Sequence, residues 1–199
     1  MKPDLDRSTV LKILESAFYR CAELDYRNAH IHNEEDVRSA TYRYARNALD
    51  LASNWRILVN PSASLVSTGV KNHCKPDFVV FHWPDTQSYP SVEIFLEIKH
   101  WPNEDKIERD LKKLQKIKSE FSEDSPTIAF FAIVGHGFNK QSAESLRIKM
   151  IDKYQALVWL VPHWSDEWQP DGALYQGPFW DNVGLDPWRA RLKHKKTNG

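Results

Sequence analysis

Cysteine is scarce in this chain. Only Cys21 and Cys74 occur among 199 residues, far apart, forming neither a C-x-x-C pair nor a disulfide framework, which points to a reducing compartment. A long apolar run is also missing: the longest, residues 128–134, falls well short of the roughly 20 residues that span a bilayer. The amino terminus has no apolar signal core. The expectation is a soluble, cytoplasmic protein with no membrane partner. Net charge is missing too, since 27 Lys and Arg balance 27 Asp and Glu, so only local clusters can favour nucleic acid. The histidines and cysteines lack zinc-finger spacing, and no phosphate-loop, dinucleotide or G-x-S-x-G pattern occurs. Gly135, His136 and Gly137 make a lone G-x-G, which reads as a turn. No solenoid repeat or low-complexity tract is present.

What remains is a chain long enough for one domain with its own core. Residues 1–30 read as a helical extension, 31–161 as the core and 162–199 as an irregular extension rich in tryptophan and basic residues. A first helix is expected over residues 8–25, because Leu11, Leu14, Phe18 and Cys21 recur at helical spacing. A second follows a cap at Asn33, with Glu34, Glu35 and Asp36 in the first turn, where the helix dipole favours negative charge. Its stripe of Val37, Thr41, Tyr44, Ala48 and Leu51, projected back three residues, puts Glu34 and not Glu35 on the inner side. Strands are expected at 56–59 or 64–68, at 77–82 and at 92–99. A third helix begins after an Asn103 cap with Ile107, Leu111, Leu114 and Ile117 inward. A buried strand at 127–134, a helix at 141–154 and a strand at 156–161 complete an α/β mixed sheet flanked by helices. The tripeptide His-Trp-Pro occurs at residues 82–84 and 100–102, each time as end-of-strand punctuation.

The strands at 77–82 and 92–99 carry the chemistry. Side chains alternate across a strand, so Phe78, Val80 and His82 share one face with Val92, Ile94, Leu96 and Ile98, the core face. The other face holds Asp77, Val79 and Phe81 beside Glu93, Phe95, Glu97 and Lys99. Antiparallel pairing with His82 opposite Val92 sets Val79 against Phe95 and Asp77 against Glu97, with Lys99 on the diagonal. Opposed like charges destabilise a sheet, so a cation belongs between them. A hard divalent ion such as Mg²⁺ is held by one or two carboxylates and activates water and phosphoryl groups, while a lysine steadies developing negative charge. The bland alternative is a solvated edge face with Asp77 as a turn residue.

Pro76 and Asp77, then Glu97, Ile98 and Lys99, placed on strand, turn, strand and helix, resemble the PD-(D/E)xK nuclease superfamily. The residues Asn33 to Arg38 and Lys75 to Phe81 are similar to segments of the nuclease domain of type I restriction motor subunits. The resemblance implies a restriction-endonuclease-like core of the order αβββαβ. It also implies a catalytic set of Glu34, Asp77, Glu97 and Lys99, and Mg²⁺ or Mn²⁺ held by Asp77, Glu97 and the Ile98 carbonyl, with Glu34 in support. The expected activity is hydrolysis of phosphodiester bonds in DNA. Those domains carry a Q-x-x-x-Y element, whereas here Gln115 is followed four residues later by Ser119. No helicase follows, so a translocating enzyme is not expected.

Lys112, Lys113 and Lys116 lie in a stretch, 112–118, with four lysines and no acid. With Gln115 they are the candidate nucleic-acid contacts, joined by a tail, 189–199, with five Lys or Arg and no acid. Read blandly, these are a solvated face and a terminus. Trp164, Trp168, Trp180 and Trp188 read as an apolar flap before a base-stacking surface. Two further expectations stand beside the nuclease. One is a catalytically inactive domain that binds nucleic acid or a protein partner. The other is an enzyme competent as a homodimer or inside a larger defence or processing assembly.

Overall fold

The computed structural model describes residues 5–26, 30–49, 54–61, 75–83, 90–121, 126–135 and 138–162. Helix α1 (Arg7–Arg20) starts at Asp6, whose side chain accepts from the Thr9 amide, and runs on into a π-helical segment, Cys21–Tyr26. Helix α2 (Glu34–Leu49) starts at Asn33, whose Oδ1 accepts from the Asp36 amide at 3.1 Å. Strands β1 (Trp55–Val59), β2 (Phe78–His82) and β3 (Ser91–His100) lead to α3 (Glu104–Lys118), capped by Asn103. Then come β4 (Thr127–Val134), α4 (Lys140–Tyr154) with an Asn139–Ser142 capping box, and β5 (Leu157–Pro162).

The five strands form one mixed sheet in the order β1-β2-β3-β4-β5. The first three pair antiparallel, and β3, β4 and β5 run parallel. Ile107, Leu111, Leu114 and Ile117 of α3 and Ala143, Leu146 and Met150 of α4 pack with Val79, Phe95 and Phe130 on one face. The other face meets α1 and α2, where Phe18 lies against Phe131 and Tyr42 stacks on Phe78. The result is an α/β sandwich with helices on both faces.

Two expectations change in detail, and one alternative falls. The first helix is α-helical only to Arg20, and Val10, Ile13 and Ala17 are buried on it while Leu11 is only half-buried. The β2–β3 register holds at Val79↔Phe95 but shifts by one between Val80 and Phe81, so His82 faces Ser91 instead of Val92. The extra residue is Glu93, which leaves the carboxylate face to pair with Arg7 and to accept from Ser91 Oγ at 2.7 Å. The bland alternative of a solvated face falls, because α3 and α4 cover the face opposite the Ile94 and Leu96 side and make it a second core. Of the two candidates for the first strand, 64–68 lies outside the described residues, as do Cys74, His136, Gly137 and everything from residue 163, including the four late tryptophans and the basic tail.

Candidate active site

Four elements converge at one end of the sheet. Glu34 is the first residue of α2, Asp77 immediately precedes β2, Glu97 and Lys99 sit two apart on β3, and Asp110 lies on α3. Strand alternation aims Glu97 and Lys99 to the same side. One step beyond the Phe78↔Leu96 pair, Asp77 comes level with Glu97. Its Oδ2 accepts from the Ile98 amide at 2.8 Å, which fixes the carboxylate against β3.

The atom at the centre is Lys99 Nζ. It lies 2.8 Å from Glu97 Oε1, 2.9 Å from Glu34 Oε1, 3.7 Å from Asp77 Oδ2 and 3.9 Å from Asp110 Oδ2. Three more cations close the ring. Arg38 Nη1 donates to Asp77 Oδ1 at 2.8 Å and to Asn60 Oδ1 at 2.9 Å, Lys113 reaches Glu97 Oε2 at 3.2 Å, and Lys106 reaches Glu34 Oε2 at 3.4 Å. Asp77, Glu97 and Lys99 are all buried. The positive charge demanded by the opposed carboxylates is thus furnished by the protein's own side chains.

Burial and the neighbouring Asp77 charge together push the Glu97 carboxyl above its ordinary range, against the pull of Lys99 and Lys113. Burial works to lower the Lys99 ammonium, but Glu97 and Asp77 more than reverse it and hold it above its usual value. Glu34 is half-buried, which works to raise it, yet its bonds to Lys99 and Lys106 leave it below the ordinary carboxylate range. Lys99 therefore stays charged at neutral pH and is no base.

Comparison with known proteins finds no relative: no family model, no curated protein and no solved structure matches the chain. The site therefore rests on its own geometry.

Glu34, Asp77, Glu97 and Lys99 are brought together as the sequence led us to expect, and Ile98 contributes its amide to Asp77. Glu34 turns to Lys99, whereas Glu35 is exposed and pairs with Arg38. The lysine cluster divides. Lys112 and Lys116 are exposed on α3, but Lys113 turns inward to Glu97, so it belongs to the site instead of to a solvated face. Gln115 is committed elsewhere, donating to the Tyr154 carbonyl at the end of α4. Three residues escaped sequence reasoning, Asp110, Arg38 and Lys106. The first two carried a signal: Asp110 stands three residues after Ile107 and four before Leu114 on the inward stripe, and Arg38 is one turn after Glu34.

In kind, the donors suit a hard divalent cation: they are carboxylate oxygens, and Asp110 Oδ2 is buried with no hydrogen-bond partner among the described residues. The mutual repulsion of Asp77 and Glu97 also favours added positive charge. As they stand, however, no three acid, histidine or cysteine side chains among the described residues are grouped to hold an ion, because Lys99 occupies the middle.

Proposed function

We propose that this protein is a divalent-metal-dependent nuclease with a restriction-endonuclease-like core, acting on phosphodiester bonds of nucleic acid and of DNA foremost. The observation that carries the reading is the convergence of Glu34, Asp77 and Glu97, from three separate elements, within 3.7 Å of the single Lys99 ammonium. A structural ion pair needs two partners. Three acids, a fourth at Asp110 and a lysine near the carboxyl end of the central strand β3 make the constellation expected where a phosphate is to be cut. The element order α2, β1, β2, β3, α3, β4 also agrees with the αβββαβ order that the PD-(D/E)xK resemblance implies.

In this reading Asp77, Glu97 and the Ile98 carbonyl hold Mg²⁺ or Mn²⁺, with Glu34 in support. When bound, such an ion supplies Lewis acidity to a phosphoryl oxygen and to water. The remaining work falls to the chain itself. Lys99, kept protonated by its acidic neighbours, donates hydrogen bonds to the negative charge that grows on the phosphoryl oxygens. Lys99 and Lys113 hold Glu97 by its two oxygens, so its carboxylate is fixed in place at the site. Arg38 and the Ile98 amide lock Asp77 in one orientation, so that its lone pairs need no reorganisation during the reaction.

One observation favours a second reading. Every one of the three central carboxylates already has a lysine or arginine partner, and a charge-compensated cluster suits a domain that binds nucleic acid or a protein without cutting. The test is a cleavage panel with the full chain on single-stranded, duplex and nicked DNA and on RNA, with Mg²⁺, Mn²⁺ or chelator. Metal-dependent cutting that Lys99→Met removes supports the nuclease. Binding without cutting under every condition establishes the second reading in its place.

A further inference from the structure

The four acids around Lys99 are not equally hidden. The side chains of Asp77, Glu97 and Asp110 are no more than 12% exposed, whereas that of Glu34 is 30% exposed. Among the described residues the cluster therefore meets solvent at Glu34. A phosphate bound for Lys99 passes that carboxylate, whose negative charge opposes it.

Lys106, the third residue of α3, stands at that opening. Its Nζ lies 3.4 Å from Glu34 Oε2 while Lys99 Nζ lies 2.9 Å from Glu34 Oε1, so one carboxylate joins the two ammoniums. Lys106, Asp110 and Lys113 recur four and three residues apart on α3, one stripe turned toward the site. Lys106 and Lys113 are thus two turns apart, about 10.5 Å along the axis, and Asp110, the α3 residue that Lys99 approaches, falls between them. The two lysines differ in what they have left to offer. Lys113 bonds both oxygens of Glu97, at 3.3 and 3.2 Å, and its side chain is 25% exposed. Lys106 has one partner oxygen among the described residues, at the long distance of 3.4 Å, and its side chain is 38% exposed. An ammonium carries three N–H donors, so Lys106 has donors to spare. A pair this long and exposed adds little to stability, so fastening α3 to α2 is a small part of what the lysine can do.

We propose that Lys106 holds a phosphate of the substrate strand next to the one that reacts at Lys99, with Glu34 as the spacer between the two ammoniums. The inference rests on the nuclease reading and adds the substrate class: a strand with consecutive phosphates, in preference to an isolated diester. A lysine is a compact point charge that grips phosphate oxygens without reading a base, so the subsite selects for chain and not for sequence. The same charge offsets the repulsion of Glu34 where the strand enters.

The test uses the full chain and end-labelled DNA in which one linkage is an uncharged methylphosphonate. The cut positions, read from product lengths, give the register of the strand on the protein. In the wild type, the bond at one fixed offset from the neutral linkage should be cut about 5-fold more slowly than in the all-phosphate strand, the scale of one exposed ion pair. Lys106→Ala should cut that bond at the same rate in both strands, and Lys106→Arg should keep the wild-type difference. Lys106→Gln, of similar length and without charge, should behave as Lys106→Ala and guards against misfolding as the cause. Without divalent metal, the slope of log K against log salt for DNA binding should fall by about 0.9 in Lys106→Ala. A lysine that only braces Glu34 would lower cutting at every bond alike. An offset effect that persists in Lys106→Ala, or is missing from the wild type, overturns the phosphate contact while leaving the nuclease standing, and so does an unchanged salt slope. A wild type that neither binds nor cuts any DNA overturns both.

Discussion

The Lys99 ammonium stands 2.8 Å from the Glu97 carboxylate, two residues earlier on the same strand, so β3 carries both an acid and the cation that neutralises it. The same Nζ is 2.9 Å from Glu34, which links the start of α2 to the sheet. The site is thus assembled around a lysine. Opposed carboxylates alone would push the strands apart, and sequence reasoning left their compensation to an external ion.

Lys99→Met should therefore destabilise the metal-free protein, by about 3–5 kcal/mol as for other buried charges deprived of a partner. The loss should shrink on acidification. Glu97 is already raised above its ordinary value, and without Lys99 it rises further. A carboxyl raised in the folded state contributes stability below its unfolded pKa and loses it as pH climbs through the folded one. Urea denaturation of both proteins at mildly acidic and mildly alkaline pH gives the comparison. A deficit that does not change with pH would mean that Lys99 matters for packing and not as a counter-charge.

Lys112 and Lys116 remain the exposed members of the α3 cluster, and Lys113 does not. Replacing Lys112 and Lys116 together by alanine should reduce the slope of log K against log salt for DNA binding by up to about 2, because each phosphate contact contributes about 0.9. Lys113→Ala should instead lower cleavage and stability through the loss of its bond to Glu97, 3.2 Å away. Titrating binding across a salt series and melting the same proteins separates the two effects. An unchanged slope in the Lys112 and Lys116 double variant would restore the plain solvated face.

Element order, caps and the acidic constellation were legible because they depend on local chemistry. Asn33 and Asn103 cap the expected helices, and Ile107, Leu111, Leu114 and Ile117 are buried on one stripe. The parity of Asp77, Glu97 and Lys99 survives because the register slips only beyond Val80, further along the strand pair. That bulge itself could not be read, since neither Glu93 nor Phe81 carries a turn signal. Nor could the partners of the acids, because which lysine turns inward depends on how α3 sits over the sheet. Lys112 and Lys113 are neighbours in sequence and point to different fates.

Glu15 offers a pH test away from the site. It is only 7% exposed on α1, and burial pushes its carboxyl up to about 7, with Lys12 and Arg147 pulling weakly the other way. Its favourable contribution is complete below the ordinary carboxylate range and disappears as pH rises through about 7. Glu15→Gln should match the wild type near pH 4 and exceed it near pH 8, by up to about 3 kcal/mol. Melting curves across that interval measure the difference. A constant offset at every pH would mean that Glu15 ionises normally in the folded protein.

Asp77→Asn and Glu97→Gln should both abolish metal-dependent cleavage, yet they should differ in what they do to the metal-free fold. Asp77 accepts on both oxygens, from Arg38 Nη1 and from the Ile98 amide, each at 2.8 Å. Asparagine has one acceptor oxygen and one NH₂, so one of the two buried donors must face another donor, at a cost of about 1–3 kcal/mol. Glu97 is different because burial already opposes its charge, so glutamine removes a repulsion with Asp77 along with the bonds to Lys99 and Lys113. Asp77→Asn should consequently melt lower than Glu97→Gln without metal. With Mg²⁺ or Mn²⁺ added, the wild type should gain thermal stability and neither variant should, because an ion stabilises only the fold that binds it. The decisive measurement is a melting series of the three proteins with and without ion, beside the cleavage assay. If the wild type gains nothing from either ion and cuts no substrate, the carboxylates serve only to hold α2, β2 and β3 around Lys99, and the non-cutting domain becomes the reading to pursue.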